Sequence, residues 1–133
     1  MFIDGLRASP GAFSQVNLEV NRLLVAAVDA ELVRLSPEAL LDLYGGVGNL
    51  SRAAARRGVA TTLVESSRVA VEDAKYNLAG TRTKIVTLDA GKLSAGQFVF
   101  DVAVIDPPRA GAQGVLAKLA VTRPRAFVYV SCD

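Results

Sequence analysis

The stretch Tyr129-Val130-Ser131-Cys132 holds the sole cysteine of this 133-residue chain and poses the first chemical question in the sequence. A thiolate attacks electron-poor carbon, and a neighbouring cation such as Arg109 favours that form. No histidine is present, so a Cys-His pair of the protease kind cannot be assembled. A lone thiol at the end of an apolar strand equally suits a buried structural role. Asp106-Pro107-Pro108-Arg109 is the second chemical stretch. Two prolines stiffen the backbone and remove two donors, which leaves the Asp106 carboxylate and nearby carbonyls as acceptors. A rigid segment with Pro107 at its centre suits a planar ring, and Arg109 offers a forked donor to a phosphate or a base carbonyl. Asp42 to Asn49, D-L-Y-G-G-V-G-N, is the third, where Gly46 and Gly48 permit a tight turn and the close approach of a ligand. Ser51 stands where a G-x-G-x-x-G fingerprint has its third glycine, which weighs against a dinucleotide and its pyrophosphate. The turn by itself is compatible with a ligand site and with a plain connection.

Two further carboxylates complete the set. Glu65 follows Gly48 by 17 residues, about the separation at which an acid accepts hydrogen bonds from ribose hydroxyls. An adenosine-bearing ligand fits that spacing, although a solvated strand end would also carry an acid. Asp89 suits either the edge of an adenine or an ordinary turn.

These residues need elements to position them. Apolar residues Leu18, Leu23, Leu24, Ala27, Val28 and Leu32 recur at helical spacing, predicting an amphipathic helix over 16–35 that stops at Ser36-Pro37. Strands are expected over 39–44, 60–64, 84–88, 98–105 and 126–131. Helices are expected over 50–57, closed by Gly58, over 68–78, closed by Gly80, and over 114–120. Residues 91–97 are too short and mixed for a helix. Strands that alternate with helices imply βαβ units and an α/β fold with a doubly wound parallel sheet. In such sheets ligands bind beyond the carboxyl ends of the strands, where strand order reverses. Tyr44 to Asn49, Glu65, Asp89, Asp106 to Arg109 and Ser131-Cys132 all fall at those ends.

The bulk properties agree with one unit of residues 1–133. Half of the side chains are hydrophobic (51%), enough for one core. A net charge of +2 is silent about nucleic acid, and one cysteine without histidine offers neither a disulfide nor a zinc cluster. A reducing, cytoplasmic setting is expected. The charged start of the chain and the short apolar run LLVAAV suggest neither an export signal nor a membrane span.

The motifs in this order resemble the S-adenosylmethionine-dependent RNA uracil-5-methyltransferases, which make 5-methyluridine in tRNA and rRNA. The blocks are F-S-Q-V-N (13–17), L-D-L-Y-G-G-V-G-N (41–49), V-E (64–65), V-E-D-A-K-Y-N (71–77), D-P-P-R-A-G-A (106–112) and Y-V-S-C (129–132). The resemblance implies a Rossmann-like class I methyltransferase fold. It implies that Gln15, Tyr44, Asn49, Glu65 and Asp106 contact S-adenosyl-L-methionine, alongside Gly46, Gly48 and Asp89 from the reading above. Pro107 and Arg109 would then meet the RNA substrate. Cys132 takes the nucleophile's place: addition of its thiolate to C6 of uracil makes C5 nucleophilic enough to accept a methyl group. The uridine must leave its stack to reach such a pocket.

Three departures shape the expectation. Gly45 stands where the family usually has Cys, a change expected to matter little at a turn. The family continues past the nucleophile through strands that carry its general base, so the fold is expected to be incomplete at its C-terminal strands and the isolated chain to bind cofactor without turnover. The family's usual N-terminal RNA-binding domain, and the cysteine cluster that some members use for an iron–sulfur centre, are expected to be missing too. A final strand AFVYVS left as a sheet edge predicts self-association. Two alternatives stay open: a cytosine-5-methyltransferase, which needs the same thiolate addition, and a non-catalytic nucleotide-binding module in which Cys132 is structural. A dehydrogenase is disfavoured by the missing fingerprint.

Overall fold

The computed structural model describes residues 1–12, 17–108 and 112–131. Gln15, Arg109 and Cys132 lie outside the described residues. The chain opens with a small antiparallel hairpin, β1 (Phe2–Ile3) and β2 (Leu6–Arg7), followed by helix α1 (Leu18–Leu35). The main sheet follows as β3 (Ala39–Leu43), β4 (Ala60–Glu65), β5 (Thr83–Thr87), β6 (Val102–Ile105) and β7 (Ala126–Tyr129). Helices α2 (Arg52–Arg56), α3 (Arg68–Asn77) and α4 (Gln113–Ala120) connect β3 to β4, β4 to β5 and β6 to β7, and a short 3-10 turn spans Ala90–Lys92.

All pairings in the main sheet are parallel, and the strand order is β5-β4-β3-β6-β7. The chain therefore winds outward from β3 to β5, then returns to the other side of β3. Strand order reverses between β3 and β6, which is where the doubly wound fold places its ligand crevice. Both central strands are covered on two faces, as a parallel sheet requires. On one face Leu40, Val102 and Val104 pack with Val28 and Leu32 of α1 and Ala54 of α2. On the other, Leu41, Leu43, Ala103 and Ile105 pack with Val115 and Leu119 of α4. Each such buried valine, leucine or isoleucine contributes roughly 1.5–3 kcal/mol relative to exposure.

The helix α1 buries a different stripe from the one its leucines suggest. Asn21, Val28 and Leu32 are its buried residues, with Leu24, Val25 and Leu35 packed against the same core, whereas Leu18 and Leu23 are 42% and 68% exposed. Alternating steps of three and four from Asn21 to Leu35 follow one face, and a buried polar residue begins that face. The helix starts at Leu18 because the Asn17 side chain accepts from the Val20 N–H at 3.1 Å. Its end is fixed by Ser36, which takes a left-handed φ of 47° before Pro37.

The strand expected over 98–105 is shorter, running only from Val102 to Ile105. Phe98 and Phe100 instead dip into the core from a loop, and Val99 between them is 89% exposed. Asp101 explains the boundary. Its carboxylate accepts from the backbone N–H groups of Glu38 and Ala39 (3.2 and 2.8 Å) and receives Arg125 at 2.9 Å. Arg125 also donates to the carbonyls of Leu35 and Ser36 at 2.7 and 3.3 Å. This clamp joins the end of α1 and the starts of β3, β6 and β7 at the amino edge of the sheet.

Candidate functional site

At the opposite, carboxyl edge, backbone hydrogen bonds beyond the strands keep their ends in line. Gly45 N–H donates to Val64 O (3.0 Å), Leu88 N–H to Glu65 O (3.0 Å) and Val130 N–H to Ile105 O (2.8 Å). The sequence stretches chosen for chemistry thus leave the sheet together wherever they are described.

The glycine turn after β3 is wound tightly. Tyr44, Gly46 and Gly48 adopt φ values of 58°, 57° and 91°. For a residue as large as tyrosine the left-handed region costs on the order of 1–3 kcal/mol, the kind of strain that surrounding structure must hold in place. Gly46 faces open space, with no atom within 4 Å of where a Cβ would lie. A ligand could therefore approach its backbone. Gly48 is close-packed instead, its missing Cβ lying 3.1 Å from Leu78. Gly45, expected to be a neutral substitution, is the tightest position: a Cβ there would meet Leu63 Cγ at 2.5 Å. The buried Leu63 thus occupies the space that a side chain at Gly45 would need.

Glu65 closes this turn from β4. Its Oε1 accepts from Gly46 N–H at 3.0 Å and its Oε2 from Ser67 N–H at 2.7 Å. An ionised carboxylate offers about four acceptor positions, so two donors leave capacity for a pair of hydroxyls. Asp106, partly buried at the end of β6, has its pKa raised by burial. Tyr44 is partly buried against the α4-side core, and burial, with the charge of Asp89 and the phenol of Tyr129 adding to it, raises its own pKa. Asp89 itself caps the 3-10 turn, with Oδ1 accepting from Gly91 N–H at 2.9 Å. Pro107 is partly buried beside Asp106.

One residue of this edge was inside a quoted motif but had no assigned role. Asp42 is 1% exposed, its Oδ2 accepts from Ser51 Oγ, and its Oδ1 has no partner among the described residues. Burial raises its pKa from 3.8 to about 7; the Ser51 hydrogen bond opposes the rise, while the charges of Asp106 and Glu65 add to it. Ser51, the residue in place of a third glycine, is thus the donor that satisfies half of a buried carboxyl. An acid on an otherwise apolar strand was the available signal.

Asn49 is engaged by α1. It exchanges side-chain hydrogen bonds with the buried Asn21 of α1 at 2.9 and 3.4 Å, pinning the turn to that helix. Two residues of the V-E-D-A-K-Y-N block also position the turn. Asn77 donates to Val47 O at 2.8 Å and to Arg7 O at 2.9 Å, and accepts from Arg7 N–H at 2.7 Å. Asp73 accepts from the Ser9 N–H and hydroxyl (2.7 and 2.9 Å) and pairs with Arg7 at 3.0 Å. Together they tie the hairpin, α3 and the glycine turn into one support. Among the described residues no group of acids and cysteine has the arrangement of a metal site, and no helix is long and apolar enough to cross a membrane.

Comparison with known proteins agrees with this architecture. The family model "Methyltransferase small domain" matches residues 5–123. The 23S rRNA (uracil(1939)-C(5))-methyltransferase RlmD of Cronobacter sakazakii is 39% identical over 98% of this chain and 32% of its own length. That of Shewanella halifaxensis is 36% identical over 96% of this chain and 30% of its own length. The chain therefore spans about a third of the length of the curated relatives it matches. Among solved structures, the Pyrococcus abyssi tRNA (uracil-54, C5)-methyltransferase in complex with S-adenosyl-L-homocysteine superposes with a TM-score of 0.78. It is 32% identical, covering 93% of this chain and 31% of that one. Magnesium protoporphyrin IX methyltransferase from Synechocystis, 23% identical with a TM-score of 0.64 over 82% of this chain and 57% of that one, shares the fold. With its switch point between β3 and β6 and its strained turn after β3, the fold is the Rossmann-like class I methyltransferase fold, and the chain belongs to the methyltransferase small domain family.

Proposed function

We propose that this chain is the cofactor-binding and nucleophile-bearing part of an RNA uracil-C5-methyltransferase that uses S-adenosyl-L-methionine. The observation that carries the reading is the hydrogen bond from Gly46 N–H to Glu65, which joins the ends of β3 and β4 next to the reversal of strand order between β3 and β6. It joins an open glycine backbone to a carboxylate with spare acceptor capacity, a pairing that fits an adenosine ribose. The unpartnered Asp42 Oδ1 supplies a second fit, since a buried acceptor without a donor suits an amine or an ordered water. The names of the relatives give the reading its substrate class.

In this assignment Glu65 receives the ribose hydroxyls, Gly46 and Gly48 form the floor, and Tyr44, Asp89 and Asp106 border the adenine and methionine ends. Asn49 and Gln15 enter on resemblance alone, and both polar atoms of the Asn49 side chain are engaged with Asn21. S-adenosyl-L-methionine, when bound, supplies a methyl group on a positively charged sulfur. The rest of the chemistry belongs to the chain. Sγ of Cys132, as thiolate, bonds to C6 of uracil, and the C5–C6 π electrons move toward the C4 carbonyl as an enolate. After C5 gains the methyl group, a base takes the C5 proton; the C5–C6 double bond re-forms and Cys132 leaves as thiolate. Pro107 and Arg109 would hold the flipped base, Arg109 through its forked donors.

An RNA carrying 5-fluorouridine tests the role of Cys132. Fluorine at C5 leaves no proton to remove, so the methylated adduct should stay covalently attached and add the mass of the RNA to the protein. Cys132→Ala should abolish the adduct while S-adenosylhomocysteine still binds. Adduct formation by Cys132→Ala equal to that of the wild-type chain would overturn the assignment. We also infer that the β7 edge supports self-association, because Phe127 and Tyr129 lie 37% and 44% exposed on an edge strand. A concentration-independent monomer in size-exclusion chromatography would contradict this.

A further inference from the structure

A second charged feature lies beside α2 and shares Asn49 with the candidate site. A groove of about 640 Å³ runs between the hairpin turn, α1 and α2. Its floor is apolar, made by Ile3, Leu6, Val25 and Ala53, and four arginines line it: Arg22, Arg52, Arg56 and Arg57. Two of the four are already neutralised. Arg22 forks onto Asp4 at 2.8 and 3.0 Å, and Arg57 meets both oxygens of Asp29 at 2.9 Å.

The other two have no carboxylate among the described residues. Arg52 reaches only the carbonyls of Asp4 and Gly5, at 3.4 and 3.1 Å, and its Nε is buried without a partner. Arg56, one helical turn further along α2, is exposed and makes no side-chain ion pair or hydrogen bond among the described residues. Spacing of four residues puts both guanidinium groups on one helix face, where like charges repel. Consistently, burial and the Arg56 charge lower the pKa of Arg52. Uncompensated cations over an apolar floor call for an anion that carries an apolar or planar body.

We propose that this groove binds the backbone of the RNA substrate, seating phosphate on Arg52 and Arg56 with an unstacked base against the apolar floor. The proposal rests on the reading of the chain as an RNA-modifying protein. Arginine suits both halves of that ligand, because its fork matches phosphate oxygens and its plane stacks on a base. A phosphate held this way adds affinity and register without reading sequence. The groove would thus hold RNA beside the site where its uridine is modified.

The test is fluorescence anisotropy of a labelled single-stranded RNA containing uridine, titrated with the 133-residue chain at several salt concentrations. Arg56→Ala should weaken binding about three- to tenfold, and the slope of log K against log salt should shrink by about 0.7 for each phosphate that is no longer neutralised. Arg56→Glu should weaken it further, and Arg56→Lys should keep the salt slope. Because Arg52 also braces the hairpin, Arg52→Lys is the informative change there, expected to keep the slope while losing part of the affinity. Titration with S-adenosylhomocysteine, unchanged in all these variants, separates the two claims. Absent cofactor binding by the wild-type chain would overturn the functional reading and this proposal with it. Cofactor binding with no RNA binding, or with RNA binding indifferent to Arg56→Glu, would overturn the groove alone. An acidic peptide that binds as tightly as RNA would also overturn it in favour of a protein partner.

Discussion

The two edges of the sheet treat their acids in opposite ways. Asp101, at the amino edge, sits among donors: burial raises its pKa, but the Ala39 and Glu38 N–H groups and Arg125 outweigh that and hold it below the usual value. Asp42, at the carboxyl edge, has one donor and an unpartnered oxygen, and its pKa is pushed up to about 7. One edge is saturated internally and the other is left incomplete next to a strained tyrosine. A polar network with every partner present stabilises a fold, whereas one with partners missing costs stability and leaves groups for a ligand.

That contrast is open to direct attack, beginning with the largest effect. Asp42 holds a proton in the folded chain between about pH 4 and pH 7 that the unfolded chain releases. Stability should therefore fall as pH rises through this window, by up to about 1.4 kcal/mol per pH unit and roughly 4 kcal/mol in all. Asp42→Asn should flatten this dependence in urea titrations. A pH-independent wild-type chain would remove the claim that Asp42 is an uncompensated acid. At the other edge, Asp101→Ala should cost about 2–3 kcal/mol, since it unpairs two backbone donors and Arg125, which is partly solvent-exposed. Affinity for S-adenosylhomocysteine should be kept in the molecules that remain folded. A loss of affinity without a loss of stability would blur the division between the edges.

A smaller effect sharpens the account of the glycine turn. Gly45→Cys should destabilise by about 1–3 kcal/mol through overpacking against Leu63. The cost should shrink in a Leu63→Ala background, where the two changes are coupled. Additive costs in thermal unfolding would mean that the turn relaxes independently of β4.

Much of this was legible in the sequence, for reasons that are themselves physical. The parallel sheet could be read from apolar runs buried on both faces, and the candidate site from the coincidence of polar residues at five strand ends. Glu65 was singled out by its spacing from Gly48, and the structure sets its carboxylate against the Gly46 N–H. The hairpin was missed because strands of two residues, Phe2–Ile3 and Leu6–Arg7, are too short to carry a period. The inner face of α1 was misjudged because its first buried residue, Asn21, is polar and gains its place only through Asn49, 28 positions away. Asp73 and Asn77 had no readable role for the same reason. Their partners Ser9 and Arg7 lie 64 and 70 positions away. Ser51 could be read as the absence of a glycine but not as the partner of Asp42, since that hydrogen bond depends on how α2 begins beneath β3.

The central claim is that the incomplete carboxyl edge is built to receive S-adenosyl-L-methionine. Isothermal titration of S-adenosylhomocysteine into the wild-type chain and Glu65→Ala, with NAD as the control ligand, tests it most directly. Saturable binding of S-adenosylhomocysteine is expected, weakened about tenfold or more by Glu65→Ala through the lost ribose acceptor, with no heat from NAD. Equal affinity in the two proteins, or preference for NAD, would contradict the account.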